Sequence, residues 1–332
     1  MDTHLLKRCW LLITLSVLVS LFIVSSATRS AASPVVEAAE AEAKALSFLQ
    51  REVPAWKTNN GCFSCHNNGD AARALYAALR KQLAVSATAL AETNAWLSAP
   101  QQWDQNQGDP GFSDKKLANL QFAAALASAL EAKQLNDATA LQQAVRKLIP
   151  DQNADGSWPI DAAGTAGSPA TWGTPLATWM AVRVLRQAKL DETRVPLQKA
   201  ERWLSQTKVG NVLTAATLVW AFGGEANATA RRKRDEGLNL LRRGQTRDGG
   251  WGPYADAPPE CFDTALALLA LQSVAKQEGV AKMIQRGRAY LIAQQNDDGS
   301  WPATTRPSGG NSYAQMMSTT GWATLALLET RD

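Results

Sequence analysis

The stretch Gln295-Asn296-Asp297-Asp298-Gly299-Ser300-Trp301-Pro302 decides the fold, because its pattern of glutamine, Asp-Gly and tryptophan recurs along the chain. Two other clear copies lie at 152–159 and 245–253, and the three Asp-Gly pairs stand 93 and 50 residues apart. The longer interval is close to two periods, and a worn copy at 203–210 lies between them. Repetition at such a period is typical of stacked helical hairpins.

Two more worn copies lie upstream. Residues 95–98 are followed by Gly111-Phe112, and residues 47–50 by Gly61-Cys62. Six units of about 48 residues then fill positions 36–332 of the 332-residue chain.

Each unit is predicted to contain two helices. The first is amphipathic, as in Val280–Gln294, and a turn follows in which Gly299 is free to adopt positive φ. The second helices are apolar nearly all round, which predicts burial and therefore an inner ring of helices inside an outer ring. These apolar stretches are 117–130, 175–185, 212–222, 264–274 and 320–328.

The Gln-x-x-x-Gly-x-Trp elements resemble the QW motifs of the squalene-hopene cyclase and protein prenyltransferase superfamily. The resemblance covers nearly all of the chain after residue 32. It implies an all-α fold, an α/α toroid of about six helical hairpins in one domain spanning 33–332. It also implies that the glutamines and tryptophans tie the end of one helix to its neighbour.

The resemblance extends to the helix start 260–271 but departs from it at a decisive position. In the cyclases the general acid that protonates the alkene falls on Phe262, which has no proton to give. Asp263 matches a retained flanking aspartate and could equally cap the helix. Zinc-dependent prenyl transfer is also disfavoured, because Cys261 and Asp263 lack a histidine partner. Whether the chain is an enzyme is therefore left open.

Histidine is scarce, and its scarcity excludes several kinds of chemistry. The only two are His4 and His66, so multi-histidine zinc sites are excluded. The net charge of +4 supplies no basic footprint for nucleic acid, and the basic run 231–234 is expected to be a solvated helix face.

Residues 1–32 have the composition of a secretory signal peptide. Lys7 and Arg8 precede an apolar run at 10–24, and small residues suited to cleavage follow. We therefore expect a periplasmic or secreted protein with no membrane span in the mature chain. An uncleaved signal would instead leave an N-terminal membrane anchor.

The sequence Cys62-Phe63-Ser64-Cys65-His66 matches the Cys-x-x-Cys-His motif for covalent attachment of haem c. In such motifs both thiols form thioethers and the histidine becomes the proximal iron ligand. The motif predicts one haem, bound by Cys62, Cys65 and His66. A Cys62–Cys65 disulfide is the alternative.

A distal iron ligand would have to be a methionine, because no second histidine remains. If the ring closes, the sixth unit abuts the first, which favours Met316 or Met317 just before the last inner helix. Met180 and Met283 belong to a distant unit and to an outer helix.

These observations favour an exported haem c toroid acting in electron transfer or redox chemistry with an unidentified redox partner. Its barrel would have room for an apolar small molecule. Two alternatives stay open: a non-enzymatic binding toroid with a Cys62–Cys65 disulfide, and a divergent terpenoid-modifying enzyme.

Overall fold

Twelve α-helices account for most of the described chain. A computed structural model describes residues 34–106, 114–160, 165–225, 227–304, 306 and 312–331, so the expected signal peptide lies outside the described residues. The odd-numbered helices are α1 (Pro34–Asn60), α3 (Ala87–Leu97), α5 (Thr139–Leu148), α7 (Arg194–Gln206), α9 (Ala228–Gly244) and α11 (Val280–Ala293). The even-numbered helices are α2 (Ala72–Arg80), α4 (Lys115–Glu131), α6 (Thr174–Ala188), α8 (Val212–Phe222), α10 (Cys261–Gln272) and α12 (Tyr313–Glu329).

The even-numbered helices form an inner ring. Each contacts the next even-numbered helix, and α12 contacts α2, which closes the ring. Each odd-numbered helix packs outside against one of them. The predicted α/α toroid of six helical hairpins is thus confirmed, and no helix of the described residues is long and apolar enough to cross a membrane.

The inner helices are buried all round, as their apolar sequences require. All residues of 261–271 in α10 are buried, as are all of 72–78 in α2. The last inner helix begins earlier than predicted, at Tyr313 instead of residue 320, because Ser312 caps it by accepting a hydrogen bond from Gln315 N. The polar run 318–320 disguised this helix in the sequence, yet it is wholly buried.

The repeated turns join neighbouring units through side-chain bonds to the backbone. Gln295 Nε2 donates to Gly299 O (3.1 Å) and to Ala41 O of α1 (2.9 Å), so this glutamine ties the sixth unit to the first. Trp301 Nε1 donates to Leu291 O (2.7 Å) at the end of its own outer helix. Earlier turns repeat this pattern: Gln152 with Gly156 and Pro196, Gln245 with Gly249 and Met283, Trp158 with Leu148, and Trp251 with Leu241.

Glycine is required in these turns by both conformation and space. Gly299 has φ +93°, and a Cβ there would lie 2.3 Å from Lys44 O. The equivalent Cβ at Gly249 would lie 2.4 Å from Arg286 O. The next outer helix therefore packs directly on the turn backbone.

In the second unit, Trp103 takes the place that the motif tryptophan has in the units with a clear copy of the motif. Trp103 Nε1 donates to Trp96 O (3.1 Å), which parallels the other units. The sequence prediction placed this turn at Gly111-Phe112, which lies outside the described residues.

Candidate functional site

Asp70 lies wholly inside the ring, near the N-terminal ends of the inner helices. Its Oδ2 accepts hydrogen bonds from Ser318 Oγ of α12 (2.8 Å), Gln121 Nε2 of α4 (2.9 Å) and Trp172 Nε1 before α6 (3.2 Å). Three separate segments of the toroid therefore converge on one carboxyl oxygen. Asp70 Oδ1 has no hydrogen-bond partner among the described residues.

A π-helical turn at Cys65–Ala71 positions this carboxyl. Ser64 caps the turn by accepting from His66 N (3.1 Å), and the Asn68 side chain anchors it by donating to Thr93 Oγ1 (2.9 Å). Gly321 of α12 lets the two segments approach, because a Cβ there would lie 2.8 Å from the Cα of Ala71.

Burial dominates the electrostatics of Asp70. It raises the pKa of Asp70 to about 7, although the Arg73 guanidinium and the three hydrogen bonds act in the opposite direction. Arg73 Nη1 lies 3.8 Å from Asp70 Oδ1. A carboxyl with such a pKa is substantially protonated near neutral pH, as a general acid requires.

His66 connects this carboxyl to the outer part of the turn. Its Nδ1 lies 3.0 Å from Ser318 Oγ. Because Ser318 donates to Asp70, it accepts from His66 Nδ1–H. Burial lowers the pKa of His66 to about 4, so the imidazole is neutral at pH 7. The three side chains form a continuous hydrogen-bonded chain from His66 through Ser318 to Asp70.

Aromatic rings surround the ring interior near Asp70. The Trp322 ring contacts Trp172 edge-on, with 5.8 Å between ring centroids, and Phe262 at 6.1 Å. Trp172 holds a left-handed backbone at φ +59°, a strained conformation for a non-glycine residue that is typical of functional sites.

Both cysteines of the predicted haem motif are described, Cys65 as the first residue of this turn and Cys62 three residues before it. Cys62 is buried, and Cys65 Sγ lies 3.7 Å from His66 Nε2. The structure places Cys65 beside His66 and gives no test of covalent haem attachment by Cys62, Cys65 and His66, which stays a prediction.

Met316 and Met317 lie within the first two turns of α12, so their predicted place before the last inner helix is wrong. The early start of α12 at its Ser312 cap is the reason. Ring closure does bring this helix against the Cys65–Ala71 turn, as predicted. Met317 is wholly buried, and the residue of α12 that bonds His66 is Ser318. Iron ligation by either methionine stays a prediction.

A second buried carboxyl belongs to Asp263 at the start of α10. The expectation that it caps the helix is wrong, because its Oδ2 instead accepts from Arg306 Nη2 (2.6 Å). Burial raises the pKa of Asp263 to about 7, and Arg306 opposes this rise. Burial also raises the pKa of the Cys261 thiol to about 12, so it remains a neutral, buried side chain. No group of three or more His, Cys, Asp or Glu side chains in the described part of the chain could hold a metal ion.

The comparisons with known proteins point to terpene cyclases. The family model "Squalene-hopene cyclase C-terminal domain" matches residues 211–332. Drimenyl diphosphate synthase of Streptomyces showdoensis is 27% identical over 180 residues, covering 52% of this chain and 33% of the relative. The squalene–hopene cyclase of Bradyrhizobium diazoefficiens is 31% identical over 106 residues, covering 27% of this chain and 16% of the relative. The matches therefore span a third or less of these curated relatives.

Solved structures agree on the fold. The type II terpene cyclase MstE from Scytonema, in complex with geranylgeranyl dihydroxybenzoate, superimposes with a TM-score of 0.57 at 17% identity, covering 89% of this chain and 97% of that one. An unsaturated glucuronyl hydrolase of Streptococcus agalactiae gives 0.59 at 12% identity, covering 89% and 90%. At such identities the likeness shows the fold alone. The chain has the α/α toroid fold.

The expectation that the protein acts in haem-based electron transfer is wrong. The matched family model and the curated relatives named above are cyclases or terpenoid synthases, and none of them is named as a haem or redox protein. The Cys-x-x-Cys-His pattern misled the functional interpretation because three residue identities in five positions carry little information about the rest of the site.

Sequence reasoning missed Asp70, although the chain contains a signal that could have found it. The segment 70–75 (Asp-Ala-Ala-Arg-Ala-Leu) places an aspartate at the start of an inner helix, ahead of alanines and a leucine, and 263–268 (Asp-Thr-Ala-Leu-Ala-Leu) in the fifth unit is similar. Comparing inner-helix starts, instead of turns alone, would have paired the two carboxyls.

Proposed function

We propose that the protein is a divergent terpenoid-modifying enzyme in which Asp70 protonates a carbon–carbon double bond of an isoprenoid substrate. The observation that carries the proposal is the buried Asp70 carboxyl, whose pKa is raised to about 7 among aromatic rings. Protonation of an alkene needs a positioned acid that is still protonated at working pH and shielded from water.

The hydrogen bonds around Asp70 suit both states of such an acid. Oδ1 has no partner in the described structure and can hold the proton, while Oδ2 accepts from Ser318, Gln121 and Trp172. When the proton passes to a substrate carbon, the π bond supplies the new C–H bond and a carbocation remains. The three donors then stabilise the carboxylate left behind.

The aromatic rings supply the complementary stabilisation. The Arg73 guanidinium already lies over the Trp322 ring at 4.3 Å and over the Trp172 ring at 5.9 Å from the centroids. The Phe262 ring, which contacts Trp322 edge-on, would attract a carbocation through its quadrupole. Ring formation within the substrate and loss of a proton to water would end the reaction. This sequence of protonation, ring formation and proton loss needs no oxidant or metal.

The hydrogen-bonded chain from His66 through Ser318 provides a route for a proton to return to Asp70 after each reaction. The half-buried His66 can pass its Nδ1 proton to Ser318, which passes its own to Asp70, while Nε2 takes a proton on the outer side. Asp70 would then be restored without opening the site.

Asp70 takes over a role that cyclases give to another unit. The position of their acid is Phe262 in α10, and Phe262 and Arg73, one turn beyond Asp70, contact the same Trp322 ring. The remaining carboxyl of α10, Asp263, is hydrogen-bonded to Arg306 at 2.6 Å, whereas Arg73 lies 3.8 Å from Asp70 Oδ1 without a hydrogen bond.

The experiment is turnover by the full chain with squalene, farnesyl diphosphate and geranylgeranyl diphosphate, with products separated by gas chromatography and mass spectrometry. Reactions in D₂O should place one deuterium in the product. Asp70→Asn should lower the rate by about 10³-fold, the scale of general acid catalysis.

Asp263→Asn is the matched control, because it removes the other buried carboxyl of raised pKa. We expect a rate within about tenfold of the parent, since Asp263 does not deliver the proton. A parental rate in Asp70→Asn, with the larger loss in Asp263→Asn, would contradict the assignment of the acid.

A further inference from the structure

The opposite end of the inner ring holds a charged cavity. Its volume is about 300 Å³, and it is formed where the inner helices end. This is within the range of small-ligand pockets and equals the volume of about ten water molecules. The charged residues around it are Arg73, Arg80, Arg183, Glu131 and Glu329.

Arg73 is the deepest of these charges. Its side chain is 2% exposed, and its Nε and Nη1 have no hydrogen-bond partner within the described ranges. The guanidinium lies on the Trp322 ring, 4.3 Å from the centroid. The carboxyl nearest to it is Asp70, at 3.8 Å, whose burial favours the neutral form. Burying a guanidinium with so few polar partners costs free energy unless an anion binds beside it and balances its charge.

Arg183 presents a second, half-buried cation. It lies over the Trp220 ring at 5.0 Å from the centroid, and the two glutamates of the cavity, Glu131 and Glu329, pair with Arg80 instead. Burial lowers the pKa of Arg183 from its ordinary value. The guanidinium nevertheless remains charged at neutral pH, as arginine does in proteins.

The carboxylates of the cavity are already engaged. Arg80 pairs with Glu131 at 3.2 Å and also binds Glu329, which lies 3.6 Å from Lys81 Nζ. Neither glutamate forms a salt bridge with Arg73 or Arg183. The partial negative charge at the helix ends helps to hold Arg183 near the end of α6. It does not explain Arg73, which belongs to the first turn of α2.

We propose that this cavity binds a phosphate-type oxyanion between Arg73 and Arg183. Guanidinium groups present forked donors that match phosphoryl oxygens, and two of them suit a dianion. The oxyanion is either a free phosphate or diphosphate or the head group of a prenyl diphosphate. The site stands independently of alkene protonation at Asp70, because it is measured by binding without turnover.

The test is titration calorimetry of the full chain with inorganic diphosphate. Arg183→Gln should weaken binding by about tenfold or more, the effect of losing one charge-assisted contact. Arg186→Gln is the matched control one turn along α6, where the arginine is exposed and paired with Glu201. It should bind diphosphate as the parent does. Arg73→Gln should abolish binding, and circular dichroism establishes that each variant is folded.

Two further arms identify the source of the anion. Farnesyl diphosphate that displaces inorganic diphosphate would show a head-group site, whereas binding of diphosphate that farnesyl diphosphate leaves unchanged would show a site for the free anion. Either outcome supports the oxyanion site. Absence of binding to the parent, or equal binding by the parent and Arg183→Gln, would overturn it.

Discussion

The turns of the first and last units occupy the same place in the toroid but direct their polar groups differently. In the last unit, Gln295 and Trp301 bond to backbone carbonyls of the surrounding outer helices. In the first unit, the turn at 60–70 sends Asp70 toward the ring axis, where it meets side chains of α4 and α12. One turn therefore holds the ring together, and the other supplies its most unusual titratable group.

The difference shows how a symmetric repeat makes room for chemistry. In the first unit the corresponding glutamine, Gln50, donates to Leu46 O within α1 and accepts from Ser86 N just before α3. Residues 60–70 contain instead a buried hydrogen-bonded network that would be costly in every unit. Variants of matched positions in the two turns test this division.

The largest expected difference is in the free energy of unfolding that is lost when the glycine of each turn is replaced by alanine. Gly299→Ala should lower the free energy of unfolding by about 4 kcal/mol, because the new Cβ meets Lys44 O at 2.3 Å and the backbone has positive φ. Gly61→Ala should cost about 1 kcal/mol, since φ is +72° but no atom lies within 4 Å. Urea unfolding measures both. Equal losses would mean that the last turn is not more tightly constrained than the first.

The next largest difference in stability loss is expected between variants of the two glutamines, Gln295 and Gln50. Gln295→Ala removes two bonds to the backbone and leaves Ala41 O without its side-chain donor, so we expect a loss of about 3 kcal/mol. Gln50→Ala, the matching position of the first unit, removes a bond within α1 and one from Ser86 N, and should cost under about 1 kcal/mol. Thermal unfolding of the two variants decides the point, and a larger loss at Gln50 would reverse the comparison.

The pH dependence of stability should reveal the half-buried His66 of the first turn. The folded pKa of His66, about 4, lies below its unfolded value near 6.5, so the unfolded chain binds the proton first as pH falls. The parent should lose about 2 kcal/mol between pH 6.5 and pH 4 relative to His66→Gln. Urea midpoints measured across this range provide the data, and parallel curves for the two proteins would show that His66 titrates normally.

The smallest effect is expected in the relay. Ser318→Ala should lower turnover by about tenfold, because it removes the link between His66 and Asp70 and one donor to the carboxylate. Thr319→Val is the control, since the Thr319 hydroxyl is buried without a partner among the described residues. Steady-state rates should separate the variants. An equal loss of turnover in both would mean that Ser318 only contributes to packing.

The fold could be predicted because its determinants are local. A glutamine, a glycine and a tryptophan at fixed spacing mark each clear turn, and the apolar stretch 212–222 coincides with α8. The start of α12 could not be found this way, because the hydroxyls at 318–320 look exposed in sequence. Their burial depends on partners elsewhere, such as Trp301 N, which donates to Thr320.

The site could be predicted only in part. The motif at 62–66 located the turn that departs from the repeat, but it suggested the wrong function. Asp70 is ordinary in sequence, and its pKa is raised by burial inside the ring. The residues that bond it there, Gln121, Trp172 and Ser318, lie 51, 102 and 248 positions away. Burial by such distant segments leaves no local pattern.

The central claim is that Asp70 holds a proton near neutral pH. Infrared titration from pH 4 to pH 9, with the Asp70→Asn spectrum subtracted from that of the parent, isolates this carboxyl from Asp263. The account predicts a protonated carboxyl band that disappears with a midpoint near pH 7, the value to which burial raises the pKa of Asp70. A midpoint near 4, the ordinary value for aspartate, would contradict it.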